Sequence, residues 1–219
     1  MTSGDFLDSD GIWCQLLRPD KAASYCGRPA LFLDRDGVLV AEVGYLHRPE
    51  DVRLIPGAAA LIAAANRAGL AAVLVTNQAG IGRGTYGWAE FQATQERISA
   101  DLAAAGAALD MVLACPFHAA AEPPYRHPAH PCRKPRPGMI LRAAERLGLD
   151  LAGSWIVGDR ALDLEAGRAA GLAGGANVLT GHGAAERDAA REVATGRFRV
   201  LGAESVAEVP ALLPLLAAS

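Results

Sequence analysis

Leu31-Phe32-Leu33-Asp34-Arg35-Asp36-Gly37-Val38 decides the fold. Apolar residues run up to two aspartates one residue apart, and a glycine follows. A buried strand can end there and present Asp34 at its carboxyl edge, where open α/β sheets bind ligands. Asp36 can point toward the same ligand. Two carboxylates this close do not both stay ionised without a cation, so the pair calls for Mg2+ or for one held proton. Both arrangements suit phosphoryl transfer through an aspartyl-phosphate, with Asp34 as nucleophile and Asp36 as general acid/base.

Outward from this stretch, strands and helices alternate. Apolar runs predict strands at 30–33, 71–75, 111–114, 155–157 and 177–179, with a further short strand at 199–201. Helices are predicted at 58–68, 90–105, 138–147 and 162–170, and a last one at 205–216 despite Pro210 and Pro214. Pro56-Gly57 opens the first helix and Gly69 stops it, while Gly148 ends the third. Residues 115–137 read as a loop rich in proline and histidine, and residues 1–28 as a poorly patterned lead-in. The alternation predicts a Rossmann-like α/β fold, a parallel sheet covered by helices on both faces. Residues 29–219 then form one domain. Four polar sets lie on its loops: Asp34/Asp36, Thr76/Asn77, Arg133/Lys134 and Asp159/Asp163. Parallel strands open on one edge, so these distant residues converge there.

The order Asp34-x-Asp36-Gly37, Thr76-Asn77-Gln78, Lys134 and Gly158-Asp159-x-x-x-Asp163 resembles the haloacid dehalogenase superfamily of phosphatases. In finer detail, Asp34-Arg35-Asp36-Gly37, Gly44-Tyr45, the run from Thr76 to Gly84, and Cys132-Arg133-Lys134-Pro135-x-Pro137-Gly138-Met139 are similar to the D,D-heptose 1,7-bisphosphate phosphatases. Histidinol-phosphate phosphatases are close relatives of these. The resemblance covers about residues 30–180. It implies a fold without a large cap, and no insertion big enough for one separates the motifs. It also implies Mg2+ held by the Asp34 and Asp159 carboxylates and the Asp36 backbone carbonyl. Thr76 and the amides around Asn77 would cradle the phosphate, and Gln78 lies on the same loop. Lys134 would neutralise phosphate charge and hold Asp34 ionised. The planar fork of Arg133 suits a second anionic group. Glu42, Val43, Gly44 and Tyr45 would line the substrate side, and Arg160 would contact substrate. Asp163 has three readings: it orients Lys134, it binds a metal or a metal-bound water, or it favours the first turn of its helix.

Cys115-Pro116-Phe117-His118 and His130-Pro131-Cys132 resemble the zinc loop of the same family. There the pattern is Cys-x-His followed by Cys-x-Cys. Here Phe117 stands at the histidine position, with His118 one place later, and His130 replaces a cysteine. Cys115, His118, His130 and Cys132 could still offer zinc a Cys2His2 set at 115–134, a structural site aiming Arg133 and Lys134.

Composition bounds the rest. The chain has 219 residues, 51% of them hydrophobic, and a net charge of −3. No global basic field draws it to nucleic acid or to a membrane. The basic run at 126–136 lacks the interleaved aromatics of a single-strand platform. No apolar run reaches transmembrane length, and residues 1–10 are polar and acidic, unlike an export signal. The four cysteines therefore read as reduced thiols or ligands in a cytoplasmic, monomeric protein. The expected activity is Mg2+-dependent hydrolysis of a small phosphorylated substrate. A sugar bisphosphate, D-glycero-D-manno-heptose 1,7-bisphosphate at its C7 phosphate, leads. Histidinol phosphate is the alternative substrate, and a non-catalytic zinc- and phosphosugar-binding protein the alternative class. Val40 stands where the family often carries asparagine.

Overall fold

The computed structural model describes residues 6–216, so residues 1–5 of the polar N-terminal stretch lie outside it. Seven strands form one sheet in the order β1-β4-β3-β2-β5-β6-β7. They are β1 (Trp13–Leu16), β2 (Ala30–Leu33), β3 (Ala71–Asn77), β4 (Met111–Cys115), β5 (Trp155–Gly158), β6 (Gly174–Val178) and β7 (Arg199–Ala203). All neighbours run parallel except β1, which pairs antiparallel with β4. The main helices are α1 (Ala58–Arg67), α3 (Trp88–Ala104), α4 (Gly138–Leu147), α5 (Ala161–Ala170) and α6 (Gly183–Glu192). Two single turns, α2 (Ala79–Gly82) and α7 (Val209–Leu212), complete the set.

Strand alternation builds the two layers. On β2, Leu31 and Leu33 enter one core with α1 and α3, while Ala30 and Phe32 enter the other with α4 and α5. The central strands β2, β3, β4 and β5 are apolar on both faces because both faces are covered. From β2 the chain winds outward through β3 to β4, then returns to place β5 on the other flank of β2. The strand order therefore reverses beside β2, which opens a crevice at its carboxyl end, and Asp34 is the residue that follows.

The differences from the sequence reading have local causes. The segment read as a lead-in supplies edge strand β1 and, beyond it, Tyr25, whose hydroxyl donates to the Asp110 carboxylate (2.6 Å), which also accepts the Ala72 amide (2.8 Å). Strand β6 starts three residues early, on Gly174-Gly175, a pair depleted in strands. The crowding explains the glycine: a Cβ at Gly174 would meet the Arg199 carbonyl oxygen at 2.5 Å and the Trp155 ring at 2.6 Å. Helix α6 escaped notice because it buries only Gly183 and Ala190 and so shows no apolar stripe. The helix expected at 205–216 breaks into a short 3-10 turn, Val206–Glu208, and α7, with Pro210 in the first turn of α7. Among the described residues no helix is long and apolar enough to cross a membrane.

Candidate active site

The crevice holds a cavity of about 470 Å3, walled by Asp34, Asp36, Thr76, Lys134 and Asp159, with Glu42, Tyr45, Arg133 and Arg160 nearer the rim. The four polar sets from distant loops thus meet at one place.

Its floor is ionic. The Lys134 ammonium donates to the Val75 carbonyl (2.9 Å) and forms ion pairs with Asp34 Oδ1 (2.8 Å) and Asp163 Oδ1 (2.6 Å). Burial alone would lower the Lys134 pKa, but Asp163 and Asp34 overcome it and raise the group above its ordinary value. Asp34 Oδ1 also accepts the Arg35 amide (2.8 Å), which fixes the carboxylate's direction. Asp163 Oδ2 accepts the Arg160 amide (3.1 Å) at the start of α5. Two of the three readings of Asp163 therefore hold together: it orients Lys134 and it caps its helix. Asn77 also serves Lys134, since its side-chain amide both donates to the Lys134 carbonyl and accepts from the Lys134 amide, each at 3.1 Å. Asn77 lines the cavity, and its side chain also straps the lysine loop to β3.

Asp159 is 1% exposed and within reach of both other acids. One ligand oxygen from each of Asp34, Asp159 and Asp163 falls within 4.8 Å of the others. Asp159 Oδ2 accepts the His182 amide (2.7 Å), while its Oδ1 is buried without a partner. Burial first, and then the Asp34 charge, push Asp159 up to about 8. Gly37, at φ +78°, lies so close that any Cβ would strike the Asp159 carboxylate. A cluster of hard oxygen donors with an orphaned buried oxygen fits a divalent cation such as Mg2+.

Asp36 stands on the side wall. Arg35, 1% exposed, grips it with Nε to Oδ1 at 3.1 Å and Nη2 to Oδ2 at 3.0 Å. The same guanidinium donates to the Leu46 carbonyl and lies 5.6 Å from the Phe91 ring centre. Gln78, expected to touch substrate, is 2% exposed and donates to Thr76 Oγ1 (2.7 Å) and Asp36 Oδ2 (3.3 Å). At the rim, Arg160 pairs with Glu186 of α6 (3.2 Å), and Glu42 accepts the Gly44 amide (2.5 Å) and faces His182 (3.9 Å). Tyr45 accepts from Arg83 (2.7 Å), and Arg133 donates to the Phe117 carbonyl (3.0 Å). Sequence reasoning missed Arg35, Arg83, Tyr86 and Glu186. Arg35 alone carried a signal, a cation inside the first motif; Glu186 lay on the undetected helix.

The zinc expectation gains no support from the side-chain geometry. No three of Cys115, His118, His130 and Cys132 bring ligand atoms together, since the acidic trio is the sole such group among the described residues. His118 turns its Nε2 to Arg83 (3.3 Å) and its Nδ1 to the Ala120 amide (2.9 Å). His130 accepts the Cys132 amide on Nδ1 (3.1 Å) and stacks on Phe117, ring centres 3.9 Å apart. Burial pushes the Cys115 and Cys132 thiols up to about 11 and about 12. Phe117, at the place of the family's histidine, thus supplies an aromatic stack in this loop.

A HAD-hydrolase-like family profile matches residues 131–208. A Mesorhizobium japonicum protein named D-glycero-beta-D-manno-heptose-1,7-bisphosphate 7-phosphatase is 50% identical over 169 residues, 77% of this chain and 77% of the relative. Its namesake in Vibrio cholerae is 40% identical over 154 residues, 70% of this chain and 83% of the relative. Among solved structures, a Mesorhizobium loti protein described as a HAD-like phosphatase superposes with a TM-score of 0.84 at 37% identity, covering 97% of this chain and 96% of its own. The D,D-heptose 1,7-bisphosphate phosphatase of B. bronchiseptica, complexed with magnesium and phosphate, gives 0.73 at 33% identity, covering 87% and 99%.

Proposed function

The chain belongs to the haloacid dehalogenase-like heptose bisphosphate phosphatases, and from that premise we propose that it hydrolyses the C7 phosphate of D-glycero-D-manno-heptose 1,7-bisphosphate through an aspartyl-phosphate on Asp34. One observation carries the reading. Asp34 is aimed by the Lys134 ammonium at 2.8 Å, beside the buried, unpartnered Asp159 Oδ1, at the mouth of the switch-point crevice.

Each residue then has a task. The Asp34 carboxylate attacks phosphorus while the Asp36 carboxyl gives its proton to the departing sugar oxygen. Asp36, now ionised, takes a proton from the water that hydrolyses the acyl phosphate, which frees Asp34 and phosphate. Thr76 donates its hydroxyl to the phosphate, and Lys134 holds Asp34 ionised and offsets phosphate charge. Asp34, Asp159 and the Asp36 carbonyl would hold Mg2+, which supplies charge neutralisation at the phosphoryl oxygens when bound. Asp163 keeps Lys134 in place. Arg133 and Arg160, on the cavity wall, receive the substrate's other phosphate. Tyr45, Glu42 and Gly44 border the sugar. The protein works in the cytoplasm as a monomer.

The test is a substrate panel with Mg2+. Heptose bisphosphate is expected to give a higher kcat/KM than histidinol phosphate, and Asp34→Asn to abolish turnover of both. Preference for histidinol phosphate would overturn the substrate, and an active Asp34→Asn variant would overturn the nucleophile.

A further inference from the structure

Along the cavity wall runs a hydrogen-bonded chain, from Tyr86 through Gln78 to Thr76 and Asp36, that the expected roles leave unexplained. Tyr86, at the start of the segment leading into α3, is buried and donates its hydroxyl to Gln78 Oε1 at 2.5 Å. Gln78 Nε2 donates to Thr76 Oγ1 at 2.7 Å and to Asp36 Oδ2 at 3.3 Å. With Asp36 ionised, the state in which it takes the proton from water, the sense of the bonds follows: the carboxylate, gripped by Arg35, accepts from the amide nitrogen of Gln78. The amide oxygen must then face Tyr86, and the phenol must donate. Its pKa is pushed up to about 12 by burial, so the donor stays protonated. The other Nε2 proton occupies a lone pair of Thr76, which leaves the threonine hydroxyl proton free for the cavity.

The phenol is itself locked. Its ring stacks on His47, with centres 5.3 Å apart and planes 10° apart. Gly80 lets it lie against α2, where any Cβ would strike the Tyr86 ring. The two groups that this chain reaches, Asp36 and Thr76, are the ones the proposed mechanism assigns to the leaving-group proton and to the phosphate.

We propose that Tyr86 and Gln78 are positioning residues that fix Asp36 for leaving-group protonation and turn the Thr76 hydroxyl toward the phosphate. The inference rests on the aspartyl-phosphate reading above. Misplacing a general acid penalises poor leaving groups and spares good ones, because a stable phenolate departs without a proton. A loss of packing would penalise all substrates alike.

The experiment is a leaving-group series of aryl phosphates, from 4-nitrophenyl to unsubstituted phenyl phosphate, with Mg2+ and the full chain. Tyr86→Phe keeps the ring and removes the donor. It is expected to lower kcat/KM about tenfold for phenyl phosphate and less than about twofold for 4-nitrophenyl phosphate, steepening the dependence on phenol pKa. A parallel loss across the series, or no loss, overturns the proposal. Gln78→Met is the second variant, with the same expected steepening if Tyr86→Phe does not fold. If neither folds, the chain is structural and the proposal falls. Failure of the wild-type protein to turn over any aryl phosphate would instead overturn the aspartyl-phosphate reading, and the assignment with it.

Discussion

Lys134→Met keeps most of the apolar stem and removes the ammonium. Asp34 and Asp163 are then left beside Asp159 without a cation, their nearest oxygens within 4.8 Å, and the Val75 carbonyl loses its donor. The side chains of Lys134, Asp34 and Asp163 are 2%, 12% and 0% exposed, so solvent does little to screen them. Breaking one partner out of such a buried set costs about 3–5 kcal/mol, against less than about 1 kcal/mol for an exposed pair. The dependence on pH fixes the cause. In the wild-type protein the raised Lys134 pKa gives stability that is complete below the unfolded value near about 10.4 and is lost only above it, so that contribution is flat through neutrality. In the variant Asp163, raised to about 6 by burial even beside Lys134, loses that opposing charge and rises further, as does Asp159, already raised to about 8. Their stability is complete below about pH 4 and is lost as pH rises through their folded values. The deficit of the variant must therefore grow from about pH 4 to about pH 8. Urea unfolding at both pH values, with Mg2+ removed and the slopes compared, measures it. A deficit below about 1 kcal/mol, or one that ignores pH, refutes the reasoning.

Asp159 has its folded pKa raised to about 8, so in the metal-free protein its stability is lost as pH rises through that value. Mg2+ takes the place of the proton, and the rise in Tm on adding Mg2+ should be larger at about pH 8.5 than at about pH 6; an equal rise at both would sink the assignment. Asp110→Ala strands the buried Tyr25 hydroxyl and the Ala72 amide and should cost about 2–4 kcal/mol in chemical denaturation, since each unmade bond costs about 1–3 kcal/mol. Elemental analysis of the purified protein should find zinc far below one atom per chain, and Phe117→Ala should lower Tm by removing the stack on His130. Stoichiometric zinc would mean that the thiols and imidazoles of residues 115–132 rearrange to bind it.

Motif residues were legible because chemistry restricts them to few types, and the sheet places them without help from side-chain detail. Asp34, Thr76, Lys134 and Asp159 all lie where strand ends converge, and periodicity alone locates those ends for β2 to β5. Strand β6 and helix α6 were not legible in full because their signals are contextual. The glycine pair in β6 is required by Trp155 and the β7 backbone pressing on it, and the non-polar residues of α6 are only glycine and alanine, two of them buried. The internal hydrogen bonds of Asn77 and Gln78 were not legible for another reason. Both types serve equally well as ligand contacts or as internal straps, and only the partner 57 residues away, or the Tyr86 hydroxyl, decides.

The charge balance of the site explains why its reading needs both a cation and a cationic rim. Four carboxylates, Asp34, Asp36, Asp159 and Asp163, converge on the cavity floor and wall, and Lys134 and Arg35 are the cations held against them. Two negative charges remain uncompensated, and their effect appears at Asp159, the acid without a cationic partner and the one most displaced from its ordinary value. A single divalent ion closes that gap. An incoming phosphate dianion then reopens it, and Lys134, already paired with Asp34 and Asp163, offsets only part of that charge. The rest of the compensation has to come from Arg133 and Arg160 on the walls, where the guanidinium of Arg160 is half-occupied by Glu186. Releasing that pair with Glu186→Gln should therefore tighten binding of a phosphorylated substrate, lowering KM with kcat little changed. A raised KM would mean that Glu186 aims Arg160 at the substrate rather than competing for it.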